Sequence, residues 1–429
     1  IMIVLEIILG IIFIIGYAMI IFEHPLKIDK AAAALLTGVL IWAGFVMGSP
    51  DGHEIVEKFT HHIPDIAGIL LFLIGAMTIV ELIDLHQGFD IVVNKITTRN
   101  KRKLLWILGF LTFFLSAVLD NLTTAIVMIS LLRKIIKDKE ERMLFAGIVI
   151  IAANAGGAWT PIGDITTTML WIGGQITTMP IMMGVIIPSL VCLIVPLFAI
   201  TFQFKGDFPV VEKVETASNA TATEKTIALF LGLGALIFVP IFKSITHLPP
   251  FMGLLLGLGI MWMVLDLIHK DKEPDDKHNF SVNKALTKID VPSVLFFFGI
   301  LSAIAGLESI GLLEKIAKAM DDTIGNNDII VYCIGLLSAI IDNVPLVAAT
   351  QGMYSLTDFP VDHEMWHFIA FCAGTGGSIL IIGSAAGVAV MGLEKIDFIW
   401  YAKKIGWLAF LGYTAGAIVH LALLKAGIA

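Results

Sequence analysis

Charged residues are scarce in this chain. Asp, Glu, Lys and Arg make up only 15% of its 429 residues, whereas 57% are hydrophobic and the mean hydropathy is +0.91. Such a composition excludes an ordinary soluble domain. Runs of about 17 to 25 apolar residues, each long enough to cross a bilayer as a helix, recur from end to end. The sequence therefore predicts an all-α polytopic membrane protein, and nothing in its charge pattern indicates a nucleic-acid partner.

Cysteine is rare as well. Cys192, Cys333 and Cys372 all lie in apolar segments and are expected to pack as small core residues. No tyrosine precedes an aspartate, and the only Gly-Asp in an apolar segment is in PIGD at 161–164. The motifs of an intramembrane aspartyl protease are therefore missing, and neither enzyme activity nor a cofactor is expected. Because the chain opens on Ile1 and not on Met, removal of an upstream segment, a signal peptide or another helix, stays open.

Two apolar stretches, 104–132 and 328–356, do not fit as simple spans. Each is ample for one crossing and too short for two, and each carries Asp-Asn near its middle, in FLSAVLDNLTT and LLSAIIDNVPL. Lys and Arg flank the first stretch on both sides, whereas Asp and Glu flank the second. We therefore expect two re-entrant helical hairpins that enter from opposite faces, the first from the cytoplasm, with Asp-Asn at each tip.

Ten further spans are predicted, at 3–22, 31–48, 63–86, 143–174, 180–204, 225–242, 250–268, 291–308, 365–392 and 398–424. With these spans, 23 of the 28 Lys and Arg residues fall on the cytoplasmic side, and both chain ends lie outside. His53, His61 and His62 are expected on an exposed extracytoplasmic loop.

The topology divides into two halves of the same plan and opposite orientation. The first repeat is 1–204, with hairpin 104–132 and broken helix 143–174. A polar cytoplasmic linker at 205–224 follows, and the second repeat is 225–429, with hairpin 328–356 and broken helix 365–392. The predicted breaks are NAGGAWTPIGDITTT and GTGGSILIIGSAAG. Inverted repeats with interrupted helices at matching positions are typical of secondary transporters, whose substrates bind at the breaks.

Carboxylate, amide and hydroxyl oxygens, which suit hard cations such as Na⁺ or Li⁺, surround the breaks and hairpin tips. The candidate cation- and proton-binding residues are Asp120, Asn121, Thr123, Thr124, Asn154, Asp164, Thr166, Thr167, Ser338, Asp342, Asn343, Thr375, Ser378 and Ser384. At the breaks, Gly156, Gly157, Gly376 and Gly377 are expected to allow the backbone angles at which carbonyls and amides bind ions. No Lys or Arg belongs to this set.

The three aspartates differ in the alternatives that they leave open. Asp164 precedes ITTT and could simply cap the second half of a broken helix, and Asp342 could cap a hairpin tip. Asp120 is the preferred carrier of the exchanged charge, since an acid inside the membrane is by default a functional hypothesis.

Four ordered segments, SAVLDNLTT, NAGGAWTPIGDITTTM, SAIIDNVPLVAA and GTGGSILIIGSAAGVAVMG, make the chain resemble the NhaD-type sodium/proton antiporters of the ion transporter superfamily. The resemblance spans essentially the whole chain. It implies a fold like that of the divalent anion/sodium symporters, a homodimer, and a scaffold with a moving transport domain. It also implies a multi-pass protein of a bacterial inner membrane that exchanges Na⁺, and with it Li⁺, for H⁺ by elevator-like alternating access.

The relatives that carry carboxylates have Ser-Asn-Thr at each hairpin tip. Here Asp-Asn stands instead, which favours cations over anions. An anion carrier for arsenite or a carboxylate is the nearest alternative, and a passive channel is another, although interrupted repeats favour alternating access. Antiport follows if Na⁺ and H⁺ compete for one buried carboxylate and the domain that bears it crosses only when neutralised.

Overall fold

The computed structural model describes residues 2–93, 95–96, 98–209, 220–270 and 272–427, so half of the predicted linker, 210–219, lies outside the described residues. Within these residues the regular structure is helical, and nine helices are long and apolar enough to cross a membrane. The prediction of an all-α polytopic membrane protein is confirmed.

The helices before residue 205 are α1 (Met2–Ile21), α2 (Glu23–Leu26), α3 (Lys30–Gly48), α4 (Gly52–Leu85), α5 (Asp90–Val93), α6 (Lys101–Ser116), α7 (Asn121–Ile135), α8 (Lys139–Ala158), α9 (Ile165–Ile172) and α10 (Thr178–Thr201). Those after residue 220 are α11 (Ala222–Thr246), α12 (Pro250–Ile268), α13 (Pro274–Asn279), α14 (Val282–Leu286), α15 (Val291–Ser309), α16 (Leu312–Ile324), α17 (Asn327–Leu337), α18 (Asn343–Met353), α19 (Glu364–Gly376), α20 (Ala385–Glu394), α21 (Phe398–Tyr401) and α22 (Trp407–Lys425).

The two predicted broken helices are each two helices in the structure. α8 ends at Ala158 and α9 begins at Ile165, while α19 ends at Gly376 and α20 begins at Ala385. Both interruptions lie inside the predicted segments, and neither α19 nor α20 alone is long enough to cross a membrane. Each Asp-Asn motif likewise lies where two short helices meet, because Asn121 begins α7 after α6 ends at Ser116, and Asn343 begins α18 after α17 ends at Leu337.

One boundary differs clearly from the prediction. α4 begins at Gly52, where the carboxylate of Asp51 caps it by accepting hydrogen bonds from the amides of His53 and Glu54. His53, His61 and His62 therefore lie in a helix, and their placement on a loop was wrong. The cap and the position of Pro64 inside the helix explain why an apolar window alone began the span too late.

The helices form two packed groups that each draw on both halves of the chain. In the first helix group, α3 packs on α1 and α15, α11 packs on α12, and α4 contacts both α12 and α15. In the second helix group, α6 and α7 pack on α8, α17 packs on α19, and α10 packs on α22, while α8 contacts α19 and α20 contacts α7. Both Asp-Asn motifs and both broken helices lie in the second helix group.

The two ends of each short-helix pair lie side by side. Nζ of Lys101 at the start of α6 is 2.5 Å from Oε1 of Glu141 beyond the end of α7. The hydroxyl of Tyr354, just after α18, donates to Oδ1 of Asp321, before α17, at 3.3 Å. The chain therefore leaves and returns on one side of the molecule at each pair. Entry from opposite membrane faces, and the division at 204 and 225 into inverted repeats, stay predictions.

The glycine pairs serve close packing. A Cβ on Gly156 would lie 2.1 Å from the carbonyl oxygen of Phe113, and one on Gly376 would lie 1.9 Å from that of Gly335. Gly156 and Gly157 are inside α8, and Gly376 ends α19. Gly377 follows with a φ of −59°. The expectation that these four glycines supply unusual backbone angles was therefore wrong, because Gly156 and Gly157 are helical, Gly376 is the last residue of α19, and Gly377 keeps an ordinary negative φ.

Candidate cation site

Matching serines hold the two Asp-Asn tips against the broken helices. The hydroxyl of Ser116 donates to the carbonyl of Ala153 at 2.6 Å, and that of Ser338 donates to the carbonyl of Ala373 at 2.7 Å. Both serines are buried, so these bonds satisfy hydroxyls that could not reach water. The same local geometry at both tips explains why Ser-Ala-x-x-Asp-Asn occurs twice in the sequence.

The first tip reaches the first break through the side chain of Asn121. Its Nδ2 donates to Oδ2 of Asp164 at 2.8 Å and to Oδ1 of Asn154 at 3.1 Å. Nδ2 of Asn154 in turn donates to Oγ of Ser384, at the start of α20, at 3.0 Å. One hydrogen-bonded chain therefore joins the tip of α7 to both broken helices.

The carboxylate of Asp164 caps α9. Its Oδ1 accepts hydrogen bonds from the amide of Thr166 at 2.9 Å and from the hydroxyl of Thr166 at 2.8 Å. Its Oδ2 accepts only the amide hydrogen of Asn121 among the described side chains. Capping, one of the two roles predicted for Asp164, is therefore present, and it still leaves one lone pair of Oδ2 free.

We call Asn121, Asn154, Asp164, Thr166 and Ser384 the polar cluster. All five side chains are buried, and Asp164 is only 1% exposed. Among the described residues, no group of three or more His, Cys, Asp or Glu side chains could hold a transition metal. The cluster instead offers one carboxylate with amide and hydroxyl oxygens, which are ligands of hard cations.

The other two predicted acids lie outside the polar cluster. Asp120 caps α7, with Oδ1 accepting the amide of Thr123 at 2.8 Å and Oδ2 accepting its hydroxyl at 2.6 Å. Asp342 caps α18 more weakly, since its Oδ1 accepts the amide of Val344 at 3.3 Å. Both carboxylates line a cavity of about 560 Å³ between the two helix groups.

The cavity extends from these tips to polar and charged residues that the sequence places on cytoplasmic loops. Gln87, Asp90, Lys134 and Lys288 line it together with Asp120. It gives the first Asp-Asn tip a route toward that side of the molecule, whereas the carboxylate of Asp164 lies behind the tip.

The remaining predicted hydroxyls and amides split into two kinds. Three hydroxyls bond to backbone carbonyls: Thr167 to Ala158, Thr375 to Phe371 and Ser378 to Thr375. Two polar atoms near the tips, Oγ1 of Thr124 and Nδ2 of Asn343, are buried without a hydrogen-bond partner among the described residues. The structure thus brings five of the fourteen predicted ligands into one network and places the others around it.

Sequence reasoning missed a basic residue at the site. Nζ of Lys30, the first residue of α3, lies 3.6 Å from Oδ2 of Asp342 and 4.7 Å from the centre of the Phe296 ring. The expectation that no Lys or Arg belongs to the site was therefore wrong. Lys30 was counted among the cytoplasmic loop charges, and its position directly before an apolar run is the only signal that the sequence contains.

The chain is similar to known transport proteins over most of its length. A family model described as "Citrate transporter" (CitMHS) matches residues 17–366. The chain is 51% identical over 420 residues to "Sodium/proton antiporter 1" of Arabidopsis thaliana, an alignment that covers 97% of this chain and 72% of that protein. It is 48% identical to "Sodium/proton antiporter 2" of the same plant, covering 97% and 99%. It is also 32% identical to "Na(+)/H(+) antiporter NhaD" of Alkalimonas amylolytica, covering 96% and 89%.

Proposed function

Because this chain belongs to the NhaD-type sodium/proton antiporters, within a broader citrate transporter family, we propose that it exchanges Na⁺ for H⁺ across a membrane by alternating access. The observation that carries the proposal is the polar cluster. A buried carboxylate with a free lone pair, surrounded by amide and hydroxyl oxygens, is a site for a small hard cation.

Competition at Asp164 couples the two ions. A carboxylate that is 1% exposed keeps its negative charge only while a cation stays beside it, and otherwise it takes a proton. Na⁺ and H⁺ therefore exclude each other. When the group that bears Asp164 crosses only in a neutralised form, Na⁺ moves one way and H⁺ moves the other.

Asp120 acts next to this site. Its side chain lines the cavity. The next residue in the chain, Asn121, donates a hydrogen bond to Asp164. We assign Asp120 to the transfer of Na⁺ and H⁺ between the cavity and Asp164, and Asp164 to holding the Na⁺. The amide of Asn154 and the hydroxyls of Thr166 and Ser384 complete the site.

Alternating access is proposed as an elevator-like movement of the second helix group along the first. Two features support it: the cavity runs between the groups, and both tips and both broken helices belong to the moving group. Re-entrant hairpins are supported by the way the two ends of each short-helix pair lie side by side. Lys101 contacts Glu141 at the first pair, and Tyr354 contacts Asp321 at the second. A homodimer formed by the first helix group stays part of the proposal.

Li⁺ is proposed as a second substrate, because it is a hard cation that the same oxygens suit. A carboxylate substrate is not favoured, since Lys30, the basic residue beside the second tip, is paired with Asp342. Similar proteins occur in a plant as well as in bacteria. The proposal therefore does not restrict this protein to a bacterial inner membrane. The position of both chain ends outside the cytoplasm stays a prediction.

Proteoliposomes with an internal pH dye test the proposal. After a pH gradient is imposed, addition of NaCl or LiCl should move protons, whereas choline chloride and citrate should not. Proton movement with citrate alone, or none with Na⁺ while the protein is monodisperse, would contradict sodium/proton exchange. Labelled Na⁺ taken up against its gradient on an outward-directed proton gradient gives the reciprocal measurement.

A further inference from the structure

A lysine from one helix group neutralises an aspartate from the other. Lys30 begins α3 in the first group, and Asp342 precedes α18 in the second. Their charged atoms are 3.6 Å apart, and their side chains are 25% and 16% exposed. The adjacent acid, Asp29, is already used as the cap of α3, where it accepts the amide of Ala31 at 2.7 Å. Lys30 therefore pairs with the distant carboxylate and not with its neighbour.

Asp342 has few other partners. Its single described backbone contact, the amide of Val344 at 3.3 Å, is long, whereas Asp120 accepts two bonds of 2.8 Å or less. The second Asp-Asn tip therefore holds a partly buried carboxylate, at a wall of the central cavity, whose principal counter-charge is an ammonium group. The Phe296 ring beneath Nζ adds a cation–π contact that keeps Lys30 at this place.

We propose that Asp342 is a second site for the transported monovalent cation and that Lys30 is a tethered competitor for it. The inference rests on the proposed sodium/proton exchange and adds a residue that sets cation affinity. An ammonium group and Na⁺ cannot neutralise the same carboxylate oxygens together, so each cation lowers the affinity for the other. Binding of Na⁺ at Asp342 displaces Lys30 and thereby breaks an ion pair between the two helix groups.

Equilibrium binding tests the competition without requiring transport. The measurement is the Na⁺ concentration that gives half of the maximal thermal stabilisation of the purified chain, with choline chloride holding the ionic strength constant. Lys30→Met should lower that concentration about five-fold, the scale of a partly buried ion pair, while Lys30→Arg should keep it near the wild-type value. Lys30→Gln, which also removes the charge, serves if Lys30→Met is not monodisperse.

A matched control separates this contact from general electrostatics. Lys288 borders the same cavity but pairs with Glu81 at 2.9 Å. Lys288→Met removes the same charge from the same region, and it should shift half-saturation by less than about two-fold because screening weakens charges at longer range.

The decisive comparison repeats Lys30→Met in an Asp342→Asn background, where the polar cluster with Asp164 still binds Na⁺. There the effect of Lys30→Met should vanish. An unchanged or higher half-saturating Na⁺ concentration in Lys30→Met, or an equal decrease in both backgrounds, would overturn the inference. If the wild-type chain neither exchanges nor binds Na⁺, both the proposed sodium/proton exchange and the inference about Lys30 and Asp342 fail. Normal wild-type exchange with no effect of Lys30 refutes the tethered competitor alone.

Discussion

Nδ2 of Asn121 lies 2.8 Å from Oδ2 of Asp164, so the tip before α7 and the start of α9 meet inside one buried network. Since Asn121 uses its donor for this bond, the carboxylate of Asp164 must be an acceptor there. The arrangement keeps Asp164 oriented whether or not a cation is bound. It also places the neighbouring Asp120 on the cavity side of the tip, which separates the two acids by role.

Asp164→Asn should abolish Na⁺ binding at the polar cluster and, with it, exchange. The new amide can still cap α9 through its oxygen, but its NH₂ group then faces the NH₂ group of Asn121, and the negative charge is gone. We expect Na⁺-dependent thermal stabilisation to be weakened to what the proposed second site at Asp342 supplies, and no proton movement in proteoliposomes, in a protein that remains monodisperse. Unchanged apparent affinity for Na⁺ would show that Asp164 is only a helix cap.

Asp120→Asn should stop exchange but leave Na⁺ binding in place. Asparagine keeps an oxygen that accepts the amide of Thr123 and has an NH₂ group that can donate to the Thr123 hydroxyl, but it cannot alternate between protonated and ionised forms. Thermal stabilisation by Na⁺ should stay near the wild-type value while proton flux is lost. Near-normal flux would assign proton transfer elsewhere, and parallel loss of Na⁺ binding would place Asp120 among the ligands. Thr123→Val, which removes only the hydroxyl, is the control for altered capping.

Glu394→Gln should destabilise the second helix group. The buried carboxylate at the end of α20 accepts Nε of Arg133 at 2.6 Å and Nε of Arg142 at 2.7 Å, so it joins α20 to α7 and α8. Breaking such a buried ion network removes about 3 kcal/mol of stability. Glu54→Gln is the matched control, because its pair with Lys58 at 2.8 Å is exposed, and such pairs contribute about 0.5 kcal/mol. Equal melting temperatures for the two variants in detergent would refute the structural role of Glu394.

The stacked imidazoles of His86 and His269 should make stability fall at acid pH. Their ring centres are 5.1 Å apart, directly beyond the ends of α4 and α12. Burial, together with the neighbouring His86, lowers the pKa of His269 to about 4, although Glu224 lies 3.6 Å away. Burial also lowers the pKa of His86.

Because the unfolded histidines take up protons near pH 6.5 and the folded ones do not, this contribution is complete above about pH 6.5 and decreases as the pH falls toward 4. Melting temperatures between pH 7.5 and 4.5 should show a smaller decrease for His269→Phe than for the wild type. If the melting temperature falls with pH equally in both proteins, the His86–His269 pair is not the source of the loss of stability. His53→Phe, at an exposed position, is the control for loss of any histidine.

Single cysteines test the direction in which each tip enters the membrane. Cysteines in place of Lys103 and Lys137, both exposed at the ends of the first stretch, should react with an impermeant reagent from the cytoplasmic side only. One in place of Asp358 should react from the other side only. Reaction of Lys103→Cys and Lys137→Cys from opposite sides would turn α6 and α7 into a full crossing and contradict the re-entrant hairpin.

Much of the architecture was predictable because its causes are local. Apolar length, flanking charge and the residues at interruptions indicate the helices, the two Asp-Asn tips and the two breaks. The start of α4 was missed because a single capping aspartate, Asp51, decides it. The role of Gly156 and Gly376 was misjudged because their neighbours, at Phe113 and Gly335, belong to other helices.

The contacts of the site depended on residues far apart in the chain. Asn154 bonds to Ser384 across 230 residues, and Arg142 bonds to Glu394 across 252. No periodicity or spacing in the sequence reports such pairs. The contact between Lys30 and Asp342 could not be read from the sequence either. The sequence placed Lys30 in a loop and Asp342 at the tip of a predicted hairpin.

The membrane location of this protein and the interruptions of its helices follow from the chain alone, since both depend on the free energy of placing nearby side chains and backbone in hydrocarbon. The packed fold is needed to show which aspartate is buried among amides and hydroxyls, which lines the cavity and which faces a lysine. That choice depends on how the two helix groups pack, because burial and the distance between charges are properties of the packed helices and not of the residues alone.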